Sequence, residues 1–135
     1  METLTKRWTN NIAASKKFLS RHITHSLSHL LDRNKFDVVY EGNIKAGDEN
    51  EPDVIVYDKT NLSPLMAIEV CEHEEVGKFI HTAQNLMEMS GLNEFFIYDR
   101  DRSTWTNLHR ENKSFVISSS SMFKGVSLES CIGLD

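Results

Sequence analysis

The chain has 135 residues, of which 39% are hydrophobic and 26% charged, and its net charge is −5. That length can bury a sizeable core in one domain spanning 1–135, and the acidic balance argues against a generic nucleic-acid binder. No apolar run approaches the ~20 residues that a bilayer span needs, the polar first residues predict no signal peptide, and two cysteines, Cys71 and Cys131, give no disulfide framework, so a reducing, cytoplasmic setting is expected.

Trp8, Ile12, Leu19, Ile23, Leu27, Leu30 and Leu31 recur at three- and four-residue steps and predict an amphipathic helix ending near Asn34. The first 35 residues carry seven Lys and Arg against Glu2 and Asp32, a net of +5, whereas the remaining hundred carry a net of −10. Such a basic arm can touch a phosphate backbone, lie as a solvated helix face, or pair with the acidic body of a second subunit. Contact with DNA is one expectation of this pattern; a homodimer mediated by the apolar face of the helix is a further one. His22, His25 and His29 form one stripe on the same helix. They lack the Glu of a zinc-protease helix and read as a half-exposed face against the sheet or a partner subunit.

Phe36 to Tyr40 is rich in aromatic and β-branched residues and predicts a strand. Gly42 to Glu51 is polar and reads as a loop. Two short strands follow, Asp53–Tyr57 and Leu65–Cys71, joined by a polar hairpin loop from Asp58 to Pro64. Glu74 to Ser90 is helical, with Val76, Phe79, Ile80, Ala83, Leu86 and Met87 on one side, and Gly91 is placed to cap its end. Glu94–Tyr98 is an apolar strand covered on both faces. A turn from Asp99 to Ser103 leads to strands Thr104–His109 and Ser114–Ile117. The order is α-β-β-β-α-β-β-β, an α/β chain whose central helix makes a right-handed crossover between parallel strands.

The hairpin carries the chemistry. Glu51-Pro52-Asp53 opens one strand, and Glu69 lies sixteen residues after Asp53 on the other. Strand side chains alternate faces with period two. With the loop centred on Asn61, Asp53 faces Glu69, Ile55 faces Ala67 and Tyr57 faces Leu65. Opposed Cβ atoms lie roughly 5 Å apart, and two carboxylates that close repel unless a cation or proton compensates. Mg²⁺, which takes one or two carboxylates plus waters, is the natural compensator.

Pro-Asp, a hairpin, then an apolar strand carrying Glu resembles the PD-(D/E)xK, or restriction-endonuclease-like, nuclease superfamily. Gly91-Leu92-Asn93-Glu94-Phe95-Phe96-Ile97-Tyr98-Asp99 and Phe123-Lys124-Gly125-Val126-Ser127-Leu128-Glu129 resemble segments of its small stand-alone bacterial members. The resemblance covers roughly residues 20 to 135, and the element order matches the core of that fold, a central mixed sheet flanked by helices. It implies a Mg²⁺- or Mn²⁺-dependent nuclease that hydrolyses phosphodiester bonds, with Asp53 and Glu69 as metal ligands. It also implies a lysine two residues after the second acid, where this chain has Cys71. Lys78 on the following helix is the nominal replacement, and Lys45 a weaker one. Glu41 is a candidate further carboxylate, and His73, if the strand runs on past Cys71, a further ligand. An Asp53, Glu69 and His73 set would favour Mn²⁺, Fe²⁺ or Zn²⁺ over Mg²⁺. Cys71 itself reads as a small buried apolar residue.

Two functional classes stay open: a metal-dependent nuclease, and a catalytically inactive binding or regulatory module, with a dimeric scaffold as a weaker third. No Gly-rich phosphate loop and no nucleophile elbow support a kinase, dehydrogenase or serine hydrolase. Trp8, Trp105, Phe95, Phe96 and Phe115 are not interleaved with Arg or Lys as a single-strand stacking platform requires.

Overall fold

The computed structural model of the chain describes residues 12–41 and 52–132, the side chains of 12–15 excepted. Trp8, Lys45 and the Gly42–Glu51 loop lie outside the described residues. Helix α1 spans Ile12–Leu30. Its Leu19, Ile23 and Leu27 are buried, as is Leu31 just past its end, whereas Leu30 of the same predicted face is half exposed, and the helix stops at Leu30, short of the expected Asn34. Ser20, Thr24 and Ser28 run beside that face, and each hydroxyl donates to the carbonyl four residues back at 2.8–2.9 Å, which satisfies them inside the helix.

Strands β1 (Phe36–Tyr40), β2 (Val54–Asp58) and β3 (Pro64–Cys71) form an antiparallel run. A one-turn 3-10 helix at His73–Glu75 leads into α2 (Val76–Ser90), which crosses over to β4 (Glu94–Asp99), parallel to β3. Antiparallel β5 (Thr104–Glu111) and β6 (Ser114–Ser118) complete a six-stranded mixed sheet in the order β1-β2-β3-β4-β5-β6. The predicted order of elements is the observed one through β6. The second helix starts later than expected because its first residues are wound as a 3-10 turn. There the Glu75 carboxylate accepts the Glu72 N–H and closes a capping box. At the other end Gly91 adopts φ 74° and donates its N–H to Met87 O, the left-handed cap that glycine makes without strain.

Strand parity sorts the core into two layers. Val54, Val56, Met66, Ile68, Val70, Phe96 and Tyr98 face α1. Ile55, Ala67, Cys71, Phe95 and Ile97 face α2. A second, two-stranded sheet pairs β7 (Met122–Phe123) with β8 (Val126–Ser127). Lys124 and Gly125 between them both have positive φ, 51° and 78°, the signature of a type I′ turn. This hairpin brings Phe123, Leu128 and Cys131 into the α1-side core. Trp105 Nε1 donates to Glu129 Oε2 at 2.6 Å and ties the sheet to the 3-10 turn Glu129–Cys131. No helix among the described residues is long and apolar enough to cross a membrane.

Cys71 and Cys131 are both buried and unpaired. Burial, with the Glu75 and Asp99 charges next, pushes the Cys71 thiol up to about 12, and burial alone pushes Cys131 to about 11. Since the thiolate is the reactive form, a colorimetric thiol titration of the folded protein at pH 8 is expected to read no fast-reacting thiol. Both should react once denaturant is added; a fast-reacting thiol in the native protein would show that one of them is accessible.

Candidate active site

Asp53 sits one residue before β2, next to a register that pairs Val54 with Ile68 and Ile55 with Ala67. One step further along that register puts Asp53 opposite Glu69. Both are on the α2 side of the sheet, by the parity of Ile55 and Ala67. The facing expected from the spacing is therefore found at this end of the hairpin. At the other end a bulge between Val56 and Tyr57 makes Tyr57 pair with Pro64, not Leu65. Proline has no N–H for the ladder, and the loop closes on itself instead, Asp58 N–H donating to Ser63 O and Leu62 N–H to Asp58 O.

The two acids are tethered reciprocally to each other's strand. Asp53 Oδ2 accepts the Val70 N–H at 2.8 Å, and Glu69 Oε2 accepts the Asp53 N–H at 3.2 Å. Both side chains are thereby held before any ligand arrives. Glu69 is only 5% exposed. Burial, then the Asp53 charge, raises its carboxyl to about 8. Burial also raises Asp53, against the pull of the Lys16 ammonium and the Val70 N–H. At neutral pH the pair keeps a proton that two separate carboxylates would have lost.

Lys16, from α1, reaches the pair. Its Nζ donates to Glu69 Oε1 at 3.0 Å and lies 3.8 Å from Asp53 Oδ2. It also stands 5.5 Å from the Phe79 ring centroid, an aromatic face that favours a cation. Burial lowers the Lys16 pKa, but the Glu69 and Asp53 charges outweigh it and the net direction is up. A lysine thus approaches the pair from α1, not from the strand that carries Cys71. The candidates drawn from the sequence included Lys78 and Lys45 but not Lys16. One signal was present: Lys16 precedes Ile23 by seven residues and Leu27 by eleven, so it shares their buried stripe on the helix. A lysine on a core stripe requires a partner.

The other candidates do not join the pair. Lys78 is exposed, with its ammonium 5.4 Å from the Phe79 ring centroid. Among the described residues the ion pairs of Asp53 and Glu69 are with Lys16. His73 is held elsewhere: its Nδ1–H donates to Asp99 Oδ2 at 2.6 Å and its backbone N–H to Asp101 Oδ2 at 2.9 Å. Strand β3 ends at Cys71, so the alternation that would have aimed His73 beside Glu69 is lost in the 3-10 turn. Glu41 takes φ 50°, is exposed and accepts a hydrogen bond from the Tyr40 hydroxyl at 3.2 Å. Its charge adds only a minor upward push to Asp53. Among the described residues no group of three or more His, Cys, Asp or Glu is arranged to hold a metal ion. Nor is the histidine stripe a ligand set: the His25 and His29 rings meet edge to face at 4.6 Å, and His29 Nδ1 accepts from Arg33 at 2.8 Å.

A divalent ion nevertheless fits the pair on chemical grounds. The donors are carboxylate oxygens, the hard ligands of Mg²⁺ and Mn²⁺. Two carboxylates face one lysine here, so Lys16 alone does not balance their charge. A site of two carboxylates completed by water is the usual form for Mg²⁺.

No family model and no curated protein matches the chain. Solved structures do. A candidate nuclease belonging to DUF820 from Anabaena variabilis superposes with a TM-score of 0.64 at 10% identity, over 88% of this chain and 80% of that one. The type IIG restriction endonuclease BpuSI superposes with a TM-score of 0.58, also at 10% identity, over 76% of this chain. This chain covers 12% of that much longer enzyme, so the likeness concerns one portion of it. At such identities the comparison establishes the fold, which is restriction-endonuclease-like.

Proposed function

We propose that the protein is a metal-dependent nuclease that hydrolyses phosphodiester bonds of DNA, with Asp53 and Glu69 holding a Mg²⁺ or Mn²⁺ ion and Lys16 as the site lysine. The observation that carries this reading is the Lys16 ammonium, 3.0 Å from Glu69 and 3.8 Å from Asp53. It restores a set of two acids and one lysine on a fold shared with a restriction endonuclease. A bound divalent ion would polarise the scissile phosphate and activate water for attack. Glu69 fixes Lys16 through a charge-assisted hydrogen bond, and Lys16 offsets the negative charge that develops as the phosphate is attacked. The mutual tethers of Asp53 and Glu69 hold both carboxylates in one geometry, so little order has to be created when substrate binds.

Phe18 and Leu30, both about half exposed on α1, stand twelve residues apart and about 120° around the helix. They do not form one apolar stripe, and the expected homodimer is not carried into this reading.

Calorimetry with Mn²⁺ and Mg²⁺, followed by cleavage assays on linear and supercoiled DNA, tests the proposal. Wild type is expected to bind metal and nick DNA, and Asp53→Asn and Glu69→Gln to lose both. No binding at millimolar metal would return the chain to the non-catalytic class. Lys78→Ala is expected to cleave within about twofold of wild type, as for a surface charge that makes no contact with the reacting groups. A large loss in that variant would shift the role of site lysine from Lys16 to Lys78.

A further inference from the structure

On the opposite, α1 side of the sheet lies an open cavity of about 610 Å³ that the proposed chemistry does not use. Its floor is built from strand positions that would ordinarily be apolar. Phe96 faces α1 with the core, so Glu94, two residues earlier on β4, points to the same side. Glu94 pairs directly with His109, and Asn107 with Ser118, across β4, β5 and β6. Asn107 is 2% exposed and organises the group. Its Nδ2 donates to Glu94 Oε2 at 3.0 Å, and its Oδ1 accepts from His109 Nδ1–H at 3.1 Å and from the Ser118 hydroxyl at 3.4 Å. With Asn107 Oδ1 as the acceptor, a neutral His109 ring carries its proton on Nδ1. His109 Nε2 and Glu94 Oε1 are then two acceptors side by side in the cavity wall. Lys124, at the tip of the β7–β8 turn, supplies a cation at its rim and lies near enough to act on the Glu94 charge.

This arrangement asks for a ligand that brings N–H donors to the floor and an anion to the rim. We infer that the cavity binds a nucleoside monophosphate, with the exocyclic amine of the base on Glu94 and His109 and the phosphate at Lys124. The size supports a molecule over an ion, since pockets for drug-sized ligands run from ~300 to 1,000 Å³. The polarity selects among bases: a carboxylate accepts from the amine of cytosine or adenine, and uracil offers no such amine. The cavity lies on the face of the sheet opposite the one on which Asp53 and Glu69 stand, so it acts as a separate nucleotide site and not as part of the cleavage centre.

The full-length, ¹⁵N-labelled protein can be titrated with AMP, CMP and UMP and followed by its amide resonances. AMP and CMP are expected to shift Glu94, His109, Ser118 and Lys124 saturably, and UMP to bind at least about tenfold more weakly. Glu94→Gln keeps the shape but turns a donor toward the amine, and is expected to weaken AMP about tenfold or more while the rest of the spectrum is unchanged. His109→Ala should weaken AMP and CMP alike. Lys16→Ala should bind AMP as wild type does, whether or not the cleavage proposal holds. No saturable shift at millimolar nucleotide, equal binding of UMP, or shifts confined to the surroundings of Asp53 and Glu69 would overturn the inference.

Discussion

Lys16→Ala is expected to lower phosphodiester cleavage by roughly 10²- to 10³-fold, the scale on which losing one charge-stabilising group acts, while the protein folds and still binds metal. The Lys16 side chain is one-third exposed, so its removal leaves no closed cavity. Asp53 and Glu69 keep their backbone tethers to Val70 and Asp53 N–H, so the carboxylate pair survives the substitution. Lys16→Met, which matches length and apolar contact with Phe79 but carries no charge, should fail as completely as alanine. Lys16→Arg should recover little, because a planar guanidinium does not reproduce a compact ammonium set between two carboxylates. The readout is the single-turnover cleavage rate at saturating Mn²⁺, with metal affinity measured in parallel. Wild-type rates in Lys16→Met would remove the lysine from the mechanism.

Thermal unfolding of the metal-free protein is expected to show stability falling as pH rises from about 5 to 8. The sign follows from Glu69. Its carboxyl titrates near 8 in the folded chain, against an ordinary value of 4.5. Between those values the folded state holds a proton that the unfolded state has released, so stability declines with pH. The contribution is complete below the unfolded value and lost through the folded one. For a shift of this size it is on the order of 5 kcal/mol. Asp53 is shifted in the same direction and deepens the decline. The raised Lys16 pKa contributes stability that is lost only at pH above the usual lysine range, outside this window. A divalent ion takes the place of the proton, so Mn²⁺ should raise the melting temperature more at pH 8 than at pH 5, by mass action on the folded state. Glu69→Gln should flatten the slope, raise the metal-free melting temperature at pH 8 and abolish the response to Mn²⁺. A level metal-free profile in wild type, or a Mn²⁺ response that survives Glu69→Gln, would refute the electrostatic account of the pair.

This site stores instability where chemistry is proposed to occur. Two carboxylates at opposed strand positions raise the free energy of the empty fold, and the same repulsion drives uptake of a cation. Lys16 only partly relieves it. A chain selected for stability alone would place an amide at position 69.

Much of this was determined by the sequence itself, because period and spacing are local quantities. The 3.6-residue recurrence marked the buried face of α1, the β-branched run marked β1 from Phe36 to Tyr40, and the crossover helix implied that β3 and β4 are parallel. The even separation of Asp53 and Glu69 about one hairpin was enough to oppose them, since strand side chains alternate faces with period two. What only the tertiary structure decided were the contacts between segments distant in the chain. The rotation of α1 on the sheet places Lys16 against residues 37 and 53 positions later, and no local pattern sets that angle. The end of β3 at Cys71 depends on a turn in which Asp99 and Asp101, from the neighbouring strand's end, capture His73. Strand parity holds only while the strand lasts, so the same rule that correctly faced Asp53 with Glu69 misplaced a histidine four residues further on.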